Sequence, residues 1–252
     1  MVKKLLFGTV FLFSIMAAKS QVSIKDSAVF TSLIDVSYAL QFPGGDMADR
    51  FGYNNNIGGG FSVKLKSNWE FGLSGSLLFG RQVKDDRMLE PFTDDQGIVL
   101  GLSGLPADIF LYERGFTVQA KVGKVIPLGF SNPNSGLLIK VGGGFMQHKI
   151  RIEDEYADVP MLNYKDNKVG FDRLSFGAMT SQFIGYRYLS DRRLINFFFG
   201  FEFMQGFTKA RRDYQYDIGR PSDETRLDLL YGIRLGWTLP LYQKQPDEYY
   251  FR

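Results

Sequence analysis

Apolar and polar residues alternate along most of this 252-residue chain. Beyond the first twenty residues, bulky apolar side chains occupy every second position of successive segments, with polar or small residues between them. Because successive side chains leave a β-strand on opposite faces, this alternation predicts strands with one apolar face. The apolar spacing of an amphipathic helix does not stand out in this part of the chain. We therefore predict eight strands, at residues 31–42, 57–66, 69–80, 115–126, 136–147, 174–189, 195–205 and 225–237.

The segment INFFFGFEFMQ at 195–205 indicates which solvent each strand face meets. A strand buried in a soluble protein would not carry a glutamate such as Glu202 without a partner, because burying an unpaired charge is costly. The polar faces combine charged residues with many glycines and serines, which suit a crowded concave interior. The bulky face is therefore predicted to be the lipid-facing exterior of a closed barrel. On this segment it comprises Ile195, Phe197, Phe199, Phe201 and Phe203.

The predicted connections alternate in length. The odd-numbered connections are long, at 43–56, 81–114, 148–173 and 208–224, and the even-numbered ones are short, at 67–68, 127–135 and 190–194. In an antiparallel barrel with an even number of strands, all long connections then lie at one end, as in outer-membrane barrels. The expected fold class is all-β: an eight-stranded antiparallel up-and-down transmembrane β-barrel with four long external loops. Closure leaves no unpaired strand edge in the hydrocarbon.

Aromatic residues at strand ends agree with this layout. Trp69, Tyr188 and Trp237 are each the first or last residue on the apolar face of a predicted strand. All three are expected at the end with the short turns, where they would form the periplasmic aromatic girdle of an outer-membrane barrel. Trp237 would close the last strand, and Pro240 is expected to end its pairing.

The sixth predicted strand breaks the alternation. Thr180 and Gln182 fall on the face that also carries Phe176, Ile184 and Tyr186. A β-bulge inserts one extra residue into a strand and changes which face the following side chains occupy. We therefore predict a bulge in this strand.

The polar faces predict a filled lumen. Eight strands enclose an interior just wide enough for side chains to fill it. Seven basic and four acidic residues are predicted to point inward and to form interlocking ion pairs. The excess of basic groups predicts trapped water or a further partner, because buried charges need pairing. A narrow anion-preferring pore is the alternative. The predicted lumen network is Asp35, Lys64, Lys66, Glu70, Lys121, Lys140, Arg187, Glu202, Arg226, Asp228 and Arg234.

The first twenty residues resemble a targeting segment rather than part of the fold. Lys3 and Lys4 precede an apolar run at 5–18, and small residues follow, so residues 1–20 are predicted to be a cleaved signal peptide. A transmembrane anchor is the alternative, but the run is short for one. The barrel is then expected at 21–240 and a periplasmic C-terminal tail at 241–252.

Composition excludes several classes of function. Removal of the predicted signal peptide takes away three lysines and no acid, which lowers the formal net charge from +3 to zero. The basic isoelectric point is therefore no argument for a nucleic-acid partner, and we expect none. The chain has no cysteine, so it has neither disulfides nor thiolate metal ligands.

Candidate chemistry outside the lumen is sparse. His148, the only histidine, is expected as a solvated residue that begins a loop near the outer rim; it is the weak candidate for the base of a lipid-modifying enzyme. The acidic stretches at 94–97 and 153–156 lack the full ligand spacing of a known calcium loop. The segment 98–111 is unexpectedly apolar and is expected to pack over the barrel mouth, extend a strand or contact a protein. No catalytic residue, metal ligand or cofactor is predicted.

The C-terminal tail departs from the usual end of an outer-membrane barrel. It mixes charged residues with Tyr249, Tyr250 and Phe251. A disordered periplasmic end is one interpretation. The other is a linear segment whose aromatic side chains dock on a periplasmic or membrane protein.

With its alternating strands and long external loops, the chain resembles small outer-membrane barrels of the OmpA and OmpX type. Cleavage before Gln21 and the final segment YGIRLGWTLPLYQKQPDEYYFR resemble uncharacterised barrels from Bacteroidota. The resemblance implies the outer membrane of a Gram-negative bacterium, with the C-terminus in the periplasm and with membrane lipid and lipopolysaccharide as surroundings. It implies nothing about activity.

The function hypothesis is a non-enzymatic barrel with a filled lumen. It would act through its loops and tail as a structural or accessory subunit of a larger outer-membrane complex of the assembly or secretion type, with another outer-membrane or periplasmic protein as partner. The alternatives are a stand-alone structural or adhesive barrel, an outer-membrane lipid-modifying enzyme and a narrow pore. A lipocalin-type lipid binder is disfavoured, because its apolar face would point inward.

Overall fold

Eight antiparallel strands close into a barrel in the computed structural model of the chain. Each strand pairs with its neighbours in sequence, and β1 pairs with β8 to complete the ring. The predicted fold class is therefore confirmed. The structure describes residues 27–85, 87–129, 131–156, 159–164, 167–190, 194–217, 219–220 and 224–242. The strands are β1 (Thr31–Gly45), β2 (Asn54–Lys64), β3 (Trp69–Gly80), β4 (Ile109–Pro127), β5 (Gly136–Asp154), β6 (Ser175–Tyr188), β7 (Phe197–Ala210) and β8 (Thr225–Tyr242).

The four long loops lie at one end, the long-loop end, and contain short helices. Helix α1 spans Met47–Arg50 and α2 spans Pro160–Asn163, with 3₁₀ helices at Arg87–Phe92 and Asn167–Gly170. In the part of the chain that the structure describes, no helix is both long and apolar enough to cross a membrane. The predicted signal peptide at 1–20 lies outside the described residues.

The two faces of the barrel wall are as the sequence predicts. Phe199 and Phe201 are 47% and 57% exposed on the outside, and no soluble protein would present such a continuous apolar belt to water. Glu202 and Arg234 are buried inside the barrel. This arrangement, with the apolar face outward and the polar groups inward, is that of a barrel that spans a lipid bilayer.

The height of the apolar belt can be read from β4. Near the short turns, the Lys124 ammonium lies 5.3 Å from the ring centre of Trp69, and near the long loops, the Arg114 guanidinium lies 5.0 Å from that of Tyr112. Arg114 and Lys124 are ten residues apart along a tilted strand, which corresponds to a height of about 25 Å and matches the hydrocarbon thickness of an outer-membrane barrel. The outward residues between them are apolar: Phe116, Val118, Ala120 and Val122.

Two strands extend beyond their predicted ends. β4 begins six residues before the predicted start at Gly115, and β5 ends seven residues after Gln147. The two strands stay paired along this extension, up to Ile109 opposite Asp154. The β4–β5 hairpin therefore stands above the apolar belt. The inward positions of the extension follow the same alternation as the rest of each strand.

The predicted bulge in β6 is wrong. In this fully described strand, the register with β5 and with β7 stays constant from Ser175 to Tyr188. Thr180 and Gln182 therefore do point outward among apolar residues. Both donate hydrogen bonds to the side chain of Gln205 on β7, at 2.8 and 2.9 Å. The polar side chains thus pair with one another instead of being turned inward by a bulge.

The last strand also continues past the predicted end. Pro240 pairs opposite Leu33, and β8 runs on to Tyr242, two residues beyond the predicted barrel boundary. β7 begins at Phe197 opposite Trp237, and the last bond of β8 on that side is from the Thr238 N–H to the Asn196 carbonyl, at 3.0 Å; further along, β8 pairs with β1. The nitrogen of Pro240 faces the side on which β7 has already ended. Its missing N–H therefore costs no hydrogen bond between strands.

Candidate functional site

The lumen is the candidate site, and its layer nearest the short turns is an ion-pair cluster. Arg187 is completely buried, donates a hydrogen bond to Glu70 and lies 3.3 Å from Asp35. Lys140 pairs with the other oxygen of Glu70 at 3.0 Å. Thr238 donates a hydrogen bond to Asp35 at 2.6 Å. Each charge in this layer therefore has a partner of opposite sign.

A second ion-pair layer lies in the middle of the lumen. Glu202 accepts from Arg234 at 2.6 Å and from Lys121 at 3.2 Å. Arg234 also donates hydrogen bonds to Ser37 and Asn56, at 2.7 and 2.8 Å. The cavity between these two layers has a volume of about 60 Å³. This space suits a few water molecules held by polar groups, and it is far too small for a continuous aqueous channel.

A third polar layer surrounds His148, whose predicted position is wrong. It is not a solvated loop residue: its side chain is completely buried in the lumen, because β5 runs past it, and it lies 2.8 Å from Asp228. Thr208 donates a hydrogen bond to the same Asp228 oxygen at 2.5 Å. Phe51 from the first long loop packs edge-on against the imidazole. Arg226, with its Nε 3.4 Å from Asp228, connects this layer to the mouth.

At the same height as His148 lies an apolar layer that the sequence analysis did not predict. Strand residues such as Leu78 and Leu230 meet loop residues such as Phe51 and Phe171 there. Five of the eight methionines of the chain lie in this layer. Methionine is flexible enough to fill the irregular space between a barrel wall and its loops. The five are Met47, Met88, Met146, Met179 and Met204.

Two predicted lumen lysines behave differently from the rest. The lumen prediction for Lys66 is wrong. This residue lies exposed in the turn between β2 and β3, because β2 ends at Lys64. Lys64 is completely buried, but its ammonium donates to the side-chain oxygen of Asn134 at 2.8 Å and to the carbonyl of Val29 at 3.2 Å. The apparent excess of basic groups in the lumen is therefore smaller than the sequence suggests.

Glu113 is a lumen acid that the prediction did not include. It is completely buried and accepts a hydrogen bond from Asn54 at 2.9 Å. Strand alternation could have predicted it. Glu113 is separated by an even number of residues from the inward-facing Thr117 and Gln119, and it lies before the predicted start of β4. The same rule applied to β5 would have placed His148 inside.

The three predicted girdle aromatics lie together at the short-turn end. Trp69 begins β3, Tyr188 ends β6, and Trp237 lies opposite Phe197 at the start of β7. The Trp237 indole donates a hydrogen bond to the Leu194 carbonyl at 2.8 Å. This gives its polar edge a partner while its ring remains exposed on the barrel surface. The candidate tail residues Tyr249, Tyr250 and Phe251 lie outside the described residues.

Arg173 joins the long loops at the barrel mouth. It pairs with Asp85 of the β3–β4 loop at 3.2 Å and with Asp217 of the β7–β8 loop at 2.5 Å. Arg50 of α1 donates to Ser175 beside it at 3.1 Å. Burial, together with the nearby charges of Arg226 and Arg173, lowers the pKa of Arg50 to about 10. The loops therefore form one connected cover, and their polar side chains line a cavity of about 570 Å³ at the mouth.

The two acidic loop stretches are used for local structure. The Asp94 carboxylate accepts hydrogen bonds from the backbone N–H groups of Gln96 and Ile98, both at 2.9 Å. The Asp154 carboxylate accepts from the backbone of Val159 at 2.9 Å. Within the described ranges, no group of three acidic or histidine side chains is placed to hold a metal ion.

The apolar segment 98–111 divides into two parts. From Ile109 onwards it belongs to β4, and Ile109 and Leu111 pack against the apolar layer. The part before it is a small hairpin, held by bridges that include Leu100 opposite Pro106. Its Val99 packs on the apolar layer. The segment therefore extends a strand and packs over the mouth, as two of the sequence expectations state.

Comparison with known proteins adds distant likenesses. No protein-family model and no curated protein matches the chain. Among solved structures, it is similar to Ail, the attachment invasion locus protein of Yersinia pestis, in complex with the heparin analogue sucrose octasulfate. The identity is 10% and the TM-score 0.41, over 83% of this chain and 99% of that chain.

Two Pseudomonas aeruginosa structures are similarly distant. The N-terminal β-barrel domain of OprF has 12% identity and a TM-score of 0.36, over 82% of this chain and 97% of that chain. The outer membrane protein OprG has 13% identity and a TM-score of 0.36, over 86% and 99%. Likenesses this weak carry no argument about function, and the fold rests on the strand pairing of the chain itself. Membership of a Bacteroidota barrel type stays a prediction.

Proposed function

We propose that this chain is a non-conducting, non-enzymatic outer-membrane barrel. It would serve as a structural or accessory subunit of a larger complex of the assembly or secretion type. Three polar layers and the apolar methionine layer fill the lumen, which leaves the loops and the ends of the barrel as the surfaces available for function. A filled lumen disfavours the narrow pore.

The observation that carries the subunit proposal is the leucine hairpin, residues 98–106. Its inner side is fixed, because Val99 packs on the apolar layer. Its outer side projects Leu100, Leu102 and Leu105, which are 48%, 78% and 66% exposed. Three neighbouring leucines held in place above the membrane form an apolar patch that water does not favour. Such a patch suits contact with a partner protein.

The long-loop end is proposed to face the outside of the cell and the C-terminus the periplasm. Arg114 and Lys149 lie directly opposite each other across β4 and β5, just above the lipid-facing Phe116 and Phe145. Lys149 also lies 3.5 Å from the Asp172 carboxylate, which Arg212 contacts as well, so this group of side chains keeps a net positive charge that attracts anions. The phosphates of lipopolysaccharide are anions at this height of an outer membrane. This pair therefore supports lipopolysaccharide as the surrounding lipid on that side.

The absence of enzymatic activity remains a proposal, and the surroundings of His148 support it. The imidazole is buried below the loops, away from the lipid that a lipid-modifying enzyme would need to reach. One ring nitrogen contacts Asp228, and the other has no hydrogen-bond partner in the described structure. The Thr208 hydroxyl donates its hydrogen bond to the Asp228 oxygen that also contacts the imidazole. No nucleophile is therefore activated there.

Affinity purification from gently solubilised membranes tests the subunit proposal. The wild-type chain is expected to retain a companion protein, and Leu100→Ser/Leu102→Ser/Leu105→Ser is expected to lose it. Leu194→Ser is the matched control, because Leu194 is 72% exposed at the opposite end of the barrel. A wild-type chain that purifies alone, or a triple variant that retains the companion, would contradict the proposal.

Two further measurements separate the remaining features. In planar bilayers, the purified chain is expected to show no conductance above that of the bare membrane, and steady ion-conducting openings would overturn the filled-lumen proposal. Deletion of residues 247–252 tests the tail as a second docking segment. An unchanged companion after this deletion would remove the tail from the proposal and leave the leucine hairpin as the contact.

A further inference from the structure

Three polar side chains form a hydrogen-bonded patch on the lipid-facing wall of the barrel. Thr180 and Gln182 project outward from β6, and Gln205 projects outward from β7 directly opposite Thr180. Along β7, Gln205 lies between Phe203 and Phe207, which are both exposed to lipid. We refer to Thr180, Gln182 and Gln205 as the amide patch.

The amide patch lies within the hydrocarbon and not at its edge. Thr180 is eight residues from Tyr188 at the short-turn rim, and Gln205 is four residues from Lys209 at the long-loop rim. At about 2.5 Å of height per tilted residue, the patch lies roughly 20 Å from one rim and 10 Å from the other. Lipid at this depth offers no hydrogen-bond acceptor, so polar side chains there are costly unless they have partners.

The patch satisfies only part of its own hydrogen-bonding capacity. The two glutamines form a reciprocal amide pair, with both N–H···O distances at 2.9 Å, and Thr180 donates to the Gln205 oxygen at 2.8 Å. A primary amide has two N–H donors, and each glutamine uses one of them in this pair. The patch therefore presents two further donors, together with a remaining acceptor position on the Gln182 oxygen.

The wall around the patch allows a close approach. Ala120, Gly143, Thr180 and Gln205 follow one another across four strands, and this row carries no bulky aliphatic or aromatic side chain. A Cβ added at Gly143 would meet only one backbone atom, at 3.7 Å, so the surface there is open. Small residues around hydrogen-bonding side chains are typical of contacts between membrane-spanning helices, and the open wall here allows the same close approach.

We infer that the amide patch is the contact between two copies of this chain in the membrane. A two-fold axis through the patch places the donors of one copy opposite the acceptor of the other, so the surface is complementary to itself. The donor and acceptor content of the patch therefore fits a second copy and does not fit an acyl chain. The inference does not depend on the leucine hairpin, which lies at the end of the barrel.

Cross-linking of the full chain in lipid vesicles tests this inference. The sequence has no cysteine, so Ala178→Cys introduces a single thiol beside the patch. Leu77→Cys is the control, because Leu77 faces the lipid eight residues above Trp69, close to the ten residues that separate Ala178 from Tyr188, but lies on β3. Oxidation is expected to give a cross-linked dimer with Ala178→Cys and little with Leu77→Cys.

A second variant distinguishes loss of the dimer contact from loss of the folded barrel. Gln182→Leu/Gln205→Leu in the Ala178→Cys background is expected to remain a folded barrel, because leucine suits lipid. Its dimer yield at low protein-to-lipid ratio should fall about tenfold, the effect of losing one to two interchain hydrogen bonds. Equal cross-linking at both cysteines, or an unchanged yield in the leucine variant, would overturn the inference. In whole membranes, a product of a mass other than twice that of the chain would overturn the assignment to a second copy.

Discussion

The two halves of the lumen are filled by different physical means. Near the short turns, strand side chains such as Arg187, Glu70 and Glu202 form buried ion pairs. Near the long loops, strand and loop residues such as Met204 and Met47 form an apolar layer. A buried ion pair has strict requirements for partner and geometry, whereas an apolar layer with flexible methionines tolerates changes of shape.

This difference shows how the barrel can keep a fixed wall and still carry variable loops. The charged half needs only residues that the strand register brings together, so it does not depend on the loops. The apolar half holds Phe51, Met88 and Phe171 from three different loops, and non-directional contacts accept them without a specific partner. We therefore expect substitutions in the charged half to cost more than substitutions of similar size in the apolar half.

The largest effect is expected from Arg187→Met. This change leaves Lys140 as the ion-pair partner of Glu70 among the residues that the structure describes, and it removes the cation beside Asp35. Removing one member of a buried ion pair typically costs about 3–5 kcal/mol, because the remaining charge is uncompensated. Urea-induced unfolding in micelles, followed by the fluorescence of the two tryptophans, measures the change.

Arg151→Met is the control for that measurement, since Arg151 pairs with Glu153 on the exposed outer surface. An exposed pair contributes about 0–1 kcal/mol. If both variants lost the same stability, the buried ion pairs would not distinguish the charged half from the rest of the barrel.

A smaller effect is expected in the apolar half. Met204→Ala removes a completely buried side chain and should cost about 2–3 kcal/mol, through lost contacts and the cavity left behind. Met204→Leu should cost less than about 1.5 kcal/mol, because a flexible layer accepts a side chain of similar volume. The same unfolding measurement decides, and a leucine variant as unstable as the alanine variant would show that this layer is packed as strictly as the charged one.

The sequence predicts the charged half far better than the apolar half, for a physical reason. Strand alternation is local, so the parity of Glu70, Arg187 and Glu202 can be counted along the chain. The apolar layer depends on which loop residues reach the lumen. Met47 and Phe51 do so only because the long loops fold inward and are held by Arg173 at the mouth. No local sequence pattern predicts these contacts between loop residues and the lumen.

His148 lies where the two halves meet, and its replacement should have a smaller effect than Arg187→Met or Met204→Ala. His148→Leu removes the imidazole beside Asp228, while Thr208 and Arg226 continue to contact that carboxylate. The loss of one hydrogen bond to a buried charge is expected to cost about 1–2 kcal/mol. Stability in urea measures this cost. A loss as large as that of Arg187→Met would mean that the imidazole is the main partner of Asp228.

The smallest effect should come from Lys66, and its neighbour Lys64 supplies the contrast. The two lysines have the same parity, so the sequence places both in the lumen, but only Lys64 lies on β2 and is buried there. Lys64→Met leaves the oxygens of Val29 and Asn134 without this donor and should cost about 1–2 kcal/mol. Lys66→Met, in an exposed turn, should change the free energy of unfolding by less than about 0.5 kcal/mol. Equal losses would mean that the inward alternation continues through the turn and that the charged half extends one layer further than the structure shows.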